Sequence, residues 1–84
     1  MKRRLLIDHE VLQFLAAIPL RTRRQLWRRI EELQEFPERY AEYQERTPDG
    51  REVDVNVHAG FAIHFWDDLA DRHVKVLHIA PADE

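Results

Sequence analysis

The sequence predicts an α+β fold with the element order β-α-α-β-β-β, a helical hairpin packed on one face of an antiparallel sheet. Three observations carry that expectation. Apolar residues recur at helical spacing through the first part of the chain. The period then changes to two beyond Gly50. Prolines at 19 and 37 bracket the second helical stretch, where a missing amide hydrogen stops or starts a helix.

The elements follow in order. Leu5-Leu6-Ile7, behind a basic lead from Lys2, reads as a short strand. Asp8 is a suitable N-cap, because its carboxylate can accept an amide hydrogen of the first turn. Val11, Phe14, Leu15 and Ile18 then mark one helical face, and Pro19 ends it. A second helix opens between Leu20 and Thr22 with Leu26, Ile30 and Leu33 as its stripe and Trp27 beside it. So short a link between two helices makes them an antiparallel hairpin. Glu38 to Asp49 shows no sustained period and is expected to be an irregular connection, closing on the Pro48-Asp49-Gly50 turn.

Three strands follow. Val53, Val55 and Val57 alternate with polar residues, as do Phe61, Ile63 and Phe65 with Ala62, His64 and Trp66. After the acidic loop Asp67-Asp68-Leu69-Ala70-Asp71 comes a run from Val74 to Ile79. Joining the valine face to the Phe/Ile/Phe face requires Val57 opposite Phe61, with His58-Ala59-Gly60 as the loop. That register points all six apolar residues at the helices and sets Asp54 beside His64 on the other face. Burial of Leu77 and Ile79 would send His78 to the face of His64.

The chain has 84 residues and no cysteine, which excludes disulfides, thiolate nucleophiles and cysteine-based metal centres. It is expected to form a single domain over residues 1–84. No apolar run approaches the roughly 18 residues that span a bilayer, and no secretory leader is evident, so a cytoplasmic protein is expected. Residues 1–29 carry eight basic and two acidic side chains, a net +6, whereas the rest holds five basic and fourteen acidic, a net −9. A basic end suits a nucleic acid or an acidic peptide, although a solvated mixed surface has the same composition.

The element order, the Ile18-Pro19 break before a basic second helix (Arg21 to Leu33) and the Gly50-Arg51 lead into the closing strands together resemble the RelE/ParE superfamily of bacterial toxin–antitoxin toxins. The resemblance implies an antitoxin protein as partner, with either message on the ribosome or gyrase as target. Members that cut messenger RNA generally carry Arg or Lys on the closing strands and a late Tyr or similar residue. Here Glu52, Asp54, Ala62 and His64 occupy the strands, and the tail Ala80-Pro81-Ala82-Asp83-Glu84 has no Tyr. Some relatives are similar in using histidines with an aspartate instead.

His64, His58, His78 and Asp67 are therefore the candidate catalytic set, with His64 foremost, since imidazole can give or take a proton near neutral pH. An ion pair with Asp54 would equally explain His64; loop solvation would explain His58 and His73. No cofactor and no metal are expected, as no helical histidine pair or similar ligand spacing occurs. Arg21, Arg23 and Arg24 stand in the first turns of the second helix, where the helix dipole disfavours cations, and with Arg28 and Trp66 they are candidate nucleic-acid or partner contacts. Arg28 could alternatively pair with Glu31 or Glu32. Trp66 with Val74 could form a dry patch for a docked segment. Three functions remain open: a metal-independent endoribonuclease, a non-catalytic gyrase-directed or inactive binder, and a small module that acts by forming a homodimer.

Overall fold

The computed structural model describes residues 3–82; Lys2 of the basic lead and Asp83 and Glu84 of the acidic tail lie outside the described residues. The order is β1 (Arg4–Ile7), α1 (His9–Ala17), α2 (Leu20–Glu35), a single 3-10 turn (Pro37–Arg39), β2 (Tyr43–Arg46), β3 (Glu52–His58), β4 (Phe61–Asp68) and β5 (His73–Pro81). The strands form one sheet in the order β1-β5-β4-β3-β2. β1 runs parallel to β5, and the other pairings are antiparallel. The sheet is thus mixed and has five strands, one more than expected. The added strand is β2, in the stretch read as irregular. All four of its residues are exposed, a charged and polar edge strand with no buried face to announce itself. No helix among the described residues is long and apolar enough to cross a membrane.

The helices follow from their sequences. Asp8 caps α1, its carboxylate accepting the Glu10 amide at 3.0 Å. Val11 and Leu15 from α1 and Leu26, Ile30 and Leu33 from α2 are buried against Ile63, Phe65, Val74, Val76 and Ile79 of the sheet. Each such side chain contributes about 1.5–3 kcal/mol by leaving water. Phe14 meets Phe61 edge-on at 5.4 Å between ring centroids. At the joint, Arg23 donates from Nε to the Leu15 carbonyl at 2.7 Å and from Nη2 to those of Ala16 and Ile18 at 3.2 Å. These carbonyls belong to the end of α1, so Arg23 locks the hairpin.

The strand register departs from expectation. His58 pairs with Phe61, Val57 with Ala62, Asn56 with Ile63, Val55 with His64 and Asp54 with Phe65. The loop is two residues, Ala59 and Gly60, both at positive φ (54° and 83°), as a tight hairpin turn requires. One residue of slip reverses every side chain. Val53, Val55 and Val57 therefore share the outer face with His64, while Asp54, Asn56 and His58 share the helix face with Phe65, Ile63 and Phe61. Asp54 and His64 are on opposite faces, and Asp54 instead accepts from Gln44 Nε2 at 3.2 Å. In β5 the pairing shifts between His64↔His78 and Phe65↔Val76, leaving Leu77 as a bulge. The bulge allows Val74 and Val76 below it and Ile79 above it all to face the core, while His78 turns outward with His64. Leu77 lies outside that core, and Val74, expected beside Trp66 on the outer face, is fully buried within it.

The polar helix face of β3 is possible because it is saturated. Asn56, only 2% exposed, accepts from Arg29 Nη1 at 3.0 Å and donates to the Tyr40 carbonyl at 3.0 Å and to Glu42 Oε2 at 2.9 Å. The same Glu42 oxygen accepts the Val57 amide at 2.8 Å, and Arg29 also pairs with Glu32 and lies 4.5 Å over the Tyr40 ring. Removing the amide would take one partner from each of the part-buried Arg29 Nη1, Tyr40 carbonyl and Glu42 carboxylate. Asn56→Ala is expected to cost about 2–4 kcal/mol in urea unfolding, since each stranded buried group costs on the order of 1–3 kcal/mol. Val57→Ser, at a half-exposed neighbouring position, should stay within about 0.5 kcal/mol of the parent.

Candidate functional site

On the outer face the register brings His64 and His78 opposite one another, with ring centroids 5.4 Å apart and planes tilted at 54°. Each imidazole is held by a carboxylate. His64 Nε2 lies 2.9 Å from Glu45 Oε1, and His78 Nδ1 lies 2.8 Å from Glu10 Oε1. His64 is largely enclosed, its ring 16% exposed, and its Nδ1 is buried with no hydrogen-bond partner among the described residues. His78 is 51% exposed, which leaves its Nε2 toward solvent. Two shallow concavities meet over the pair. One, about 550 Å³, is bounded by Tyr43, Val57 and Ala80, and the other, about 270 Å³, by Arg46, Pro48, Val53 and Leu77. Paired carboxylates and imidazoles in an open concavity are a proton-transfer arrangement.

The other two members of the expected set are elsewhere. His58 ends β3 on the helix face, near Arg29 and Glu32 of α2. Burial first, then the Arg29 charge, holds its imidazole below the ordinary value, with Glu32 opposing. Asp67 also lies on the helix side, opposite Val74, and its carboxylate is 2.7 Å from Arg3 Nε. Burial pushes this carboxyl above its usual value of 3.8; Arg3 opposes, and Glu38 and Asp54 add to the rise. Neither side chain reaches the His64–His78 pair. His73, expected as a solvated loop residue, begins β5 half-buried.

Two residues that complete the site went unread in the sequence. Glu45 sits in the segment taken as irregular; the only signal was a weak alternation of Tyr43 and Glu45 with Gln44 and Arg46. Glu10 has its conventional place in a helix first turn and meets His78 across 68 positions of chain. Trp66 is on the outer face as expected, but Lys75 Nζ and Arg51 Cζ lie over its ring at 5.0 and 5.2 Å. The patch around it is therefore cationic as well as aromatic.

The arginines of α2 divide by role. Arg23 is committed to the α1 carbonyls. Arg29, not Arg28, makes the i,i+3 pair with Glu32. Arg21, Arg24 and Arg28 fall on one stripe and form no ion pair among the described residues. Arg24 and Arg28, with Glu31 the one acidic residue of the lining, wall a groove of about 550 Å³ between the helices, floored by Leu12, Ala16 and Trp27. Leu12 and Trp27 are both exposed there. An apolar floor with an unpaired cationic wall is a surface suited to an acidic amphipathic segment.

No family model matches the chain, and no curated protein matches it. Solved structures do. RelE in the archaeal RelE-RelB complex from Pyrococcus horikoshii superposes with a TM-score of 0.78 at 17% identity, over 96% of each chain. A mutant of E. coli toxin RelE in the free state gives 0.69 at 18% identity, over 99% of this chain and 86% of that one. The chain has the fold of the RelE toxins.

Two outcomes test the division of charges. Arg23→Ala should lower stability by about 1–2 kcal/mol in thermal or urea unfolding, because hydrogen bonds from a charged group to helix-end carbonyls are lost; Arg24→Ala should change it by no more than about 0.5 kcal/mol. For Asp67 the sign follows from its raised value. Folding favours the protonated form, so that contribution is complete below about pH 3.8 and is lost as pH rises through the folded value. Asp67→Asn should remove this slope, and its stability relative to the parent should rise from pH 3 to pH 7. A variant that instead loses ground toward neutral pH would show the Arg3 pair outweighing desolvation.

Proposed function

From the RelE toxin fold as premise, we propose that this chain is the toxin of a toxin–antitoxin pair, and that it cuts messenger RNA without a metal ion by acid–base chemistry on the outer sheet face. One observation carries the reading: two imidazoles 5.4 Å apart in an open concavity, each bound to a carboxylate. Cleavage by a neighbouring 2′-hydroxyl forms the P–O2′ bond and breaks the P–O5′ bond. It needs a base for the first oxygen and an acid for the second. Glu45, oriented by His64 and half-exposed, takes the 2′ proton. His78, protonated on its open Nε2, gives a proton to the departing 5′ oxygen. The products are a 2′,3′-cyclic phosphate and a 5′-hydroxyl. Arg46, on the rim of the same concavity, supplies positive charge for the crowded phosphorus.

The archaeal structural neighbour is a complex with RelB, which supports an antitoxin as partner here. The groove between the helices, with its unpaired Arg24 and Arg28, suits an acidic segment of such a protein. The contrasting reading, a gyrase-directed binder, needs none of the outer-face chemistry.

The test is induced expression with mapping of message ends by primer extension, on the parent chain and on His78→Ala, His64→Ala and Glu45→Gln. New ends on translated messages are expected in the parent. Glu45→Gln and His78→Ala should each reduce their formation by roughly 10²–10⁴-fold, the usual worth of a positioned acid or base, and His64→Ala, which removes the group that orients Glu45, by a smaller factor. Cleavage of RNA by purified protein should continue in excess chelator. Growth arrest without new ends, undiminished by all three substitutions, would replace the nuclease with the binder.

A further inference from the structure

We infer that Glu10, in the first turn of α1, is a positioning residue for His78: its carboxylate holds the Nδ1–H of the imidazole and so presents the other nitrogen, Nε2, to the outer-face concavity. The inference rests on the nuclease reading for its catalytic meaning, but the placement itself does not.

Four features lead to it. First, β1 ends at Ile7 opposite Val76, so β5 beyond that point has no strand on its β1 side. The chain leaves β1 directly into α1, which brings the first helical turn to that open edge. Second, His78 faces outward beside buried Ile79, at the margin Glu10 can reach. Third, Glu10 is not spending its carboxylate on the helix. Asp8 already caps the turn and binds the Glu10 amide, and the reciprocal capping role belongs to the next position, held by Val11. The Glu10 side chain is directed instead to His78 Nδ1 at 2.8 Å. Fourth, no other hydrogen bond to His78 is found among the described residues.

The last feature decides the consequence. A neutral imidazole carries its proton on one nitrogen or the other, and the hydrogen bond made by one fixes the role of its mate. In water the free side chain favours the Nε2–H form, which keeps the proton on the nitrogen facing the concavity, whereas the acid of the proposed step gives that proton up and is left as the Nδ1–H form. An acceptor at Nδ1 reverses that preference. The pair is exposed, at 51% and 68%, so solvent screens its charge and its contribution is to orientation more than to stability. Asp at this position would be one methylene short, whereas Gln keeps an acceptor oxygen at the same reach.

Imidazole ¹⁵N NMR on the intact chain reads this directly. In the parent, neutral His78 should carry its proton on Nδ1. Glu10→Ala should move it toward the Nε2–H form, and Glu10→Gln should retain the parent form. With RNA as substrate, Glu10→Ala should lower kcat by about tenfold with KM within about twofold, a fraction of the range expected of acid–base groups. In a His78→Ala background the same change should have no further effect. A His78 tautomer unaltered in a folded Glu10→Ala chain would overturn the inference, as would equal losses for the Ala and Gln variants. A Glu10-dependent tautomer in a parent chain that cuts no RNA would support the placement and remove the nuclease reading alone.

Discussion

The side-chain amide of Asn56 is the interaction on which the arrangement of the outer face depends. Its oxygen takes a hydrogen from Arg29 of α2, and its nitrogen gives hydrogens to the carbonyl and carboxylate of the segment entering β2. A polar group can be buried at 2% exposure only when its partners are present. Those partners come from the helix on one side and the β2 connection on the other. Asn56 therefore belongs between helix and sheet, and by the alternation of a strand Val53, Val55 and Val57 must then face away. The pairing of Val55 with His64 follows.

The same constraint explains which parts of the fold were legible in the sequence. Helix spans could be read from Val11, Leu15, Leu26, Ile30 and Leu33, because each sits on a stripe with one meaning: all five are buried. The Asp8 cap and the Pro19 break were legible for the same reason, being local chemistry with one outcome. The register of β3 was not. Pattern reasoning places the more apolar face of a strand against the core, and here the core-side face carries Asp54, Asn56 and His58. What reverses the rule is a set of partners 14 to 27 positions away in the chain. Nothing local to β3 indicates them. β2 escaped because an exposed edge strand has no apolar period.

The candidate site divides similarly. His64 and His78 were legible as a pair on one face, although by an argument whose other products, Asp54 beside His64 and Leu77 in the core, do not hold. The step that places His78 does hold: Ile79 is buried, and its neighbour His78 faces outward by simple alternation, the bulge at Leu77 entering only beyond that pair. Asp67 and His58 have the right chemistry but the wrong side of the sheet, and burial shifts both toward their neutral forms. The carboxylates that do reach the imidazoles come from β2 and from α1, neither of which contributes to the alternating strands that drew attention to the histidines. Sequence identifies residue types able to move protons; only the three-dimensional pairing selects which carboxylate each imidazole meets.

The molecule thus presents its two unpartnered surfaces on opposite sides of one sheet. The helix groove, with Leu12, Trp27, Arg24 and Arg28, lies on the solvent side of the helical layer. The concavities over His64 and His78 lie beyond the strands. The molecule measures 35 × 29 × 23 Å along its principal axes. A protein seated in the groove alone leaves the outer face open, so under the proposed function a partner that also covered that face would have to continue around an edge. Extended chain advances about 3.3 Å per residue, so about seven residues cross the 23 Å dimension and about nine the 29 Å one. The edge at β1 and the start of α1 offers a short route, because β5 is open there beyond Val76 and Glu10 already bridges from the helix to the outer face. A partner following that route would displace Glu10 from His78 before it covered either imidazole. If the proposed function holds, binding on the helices and chemistry on the outer face would then be coupled through one side chain.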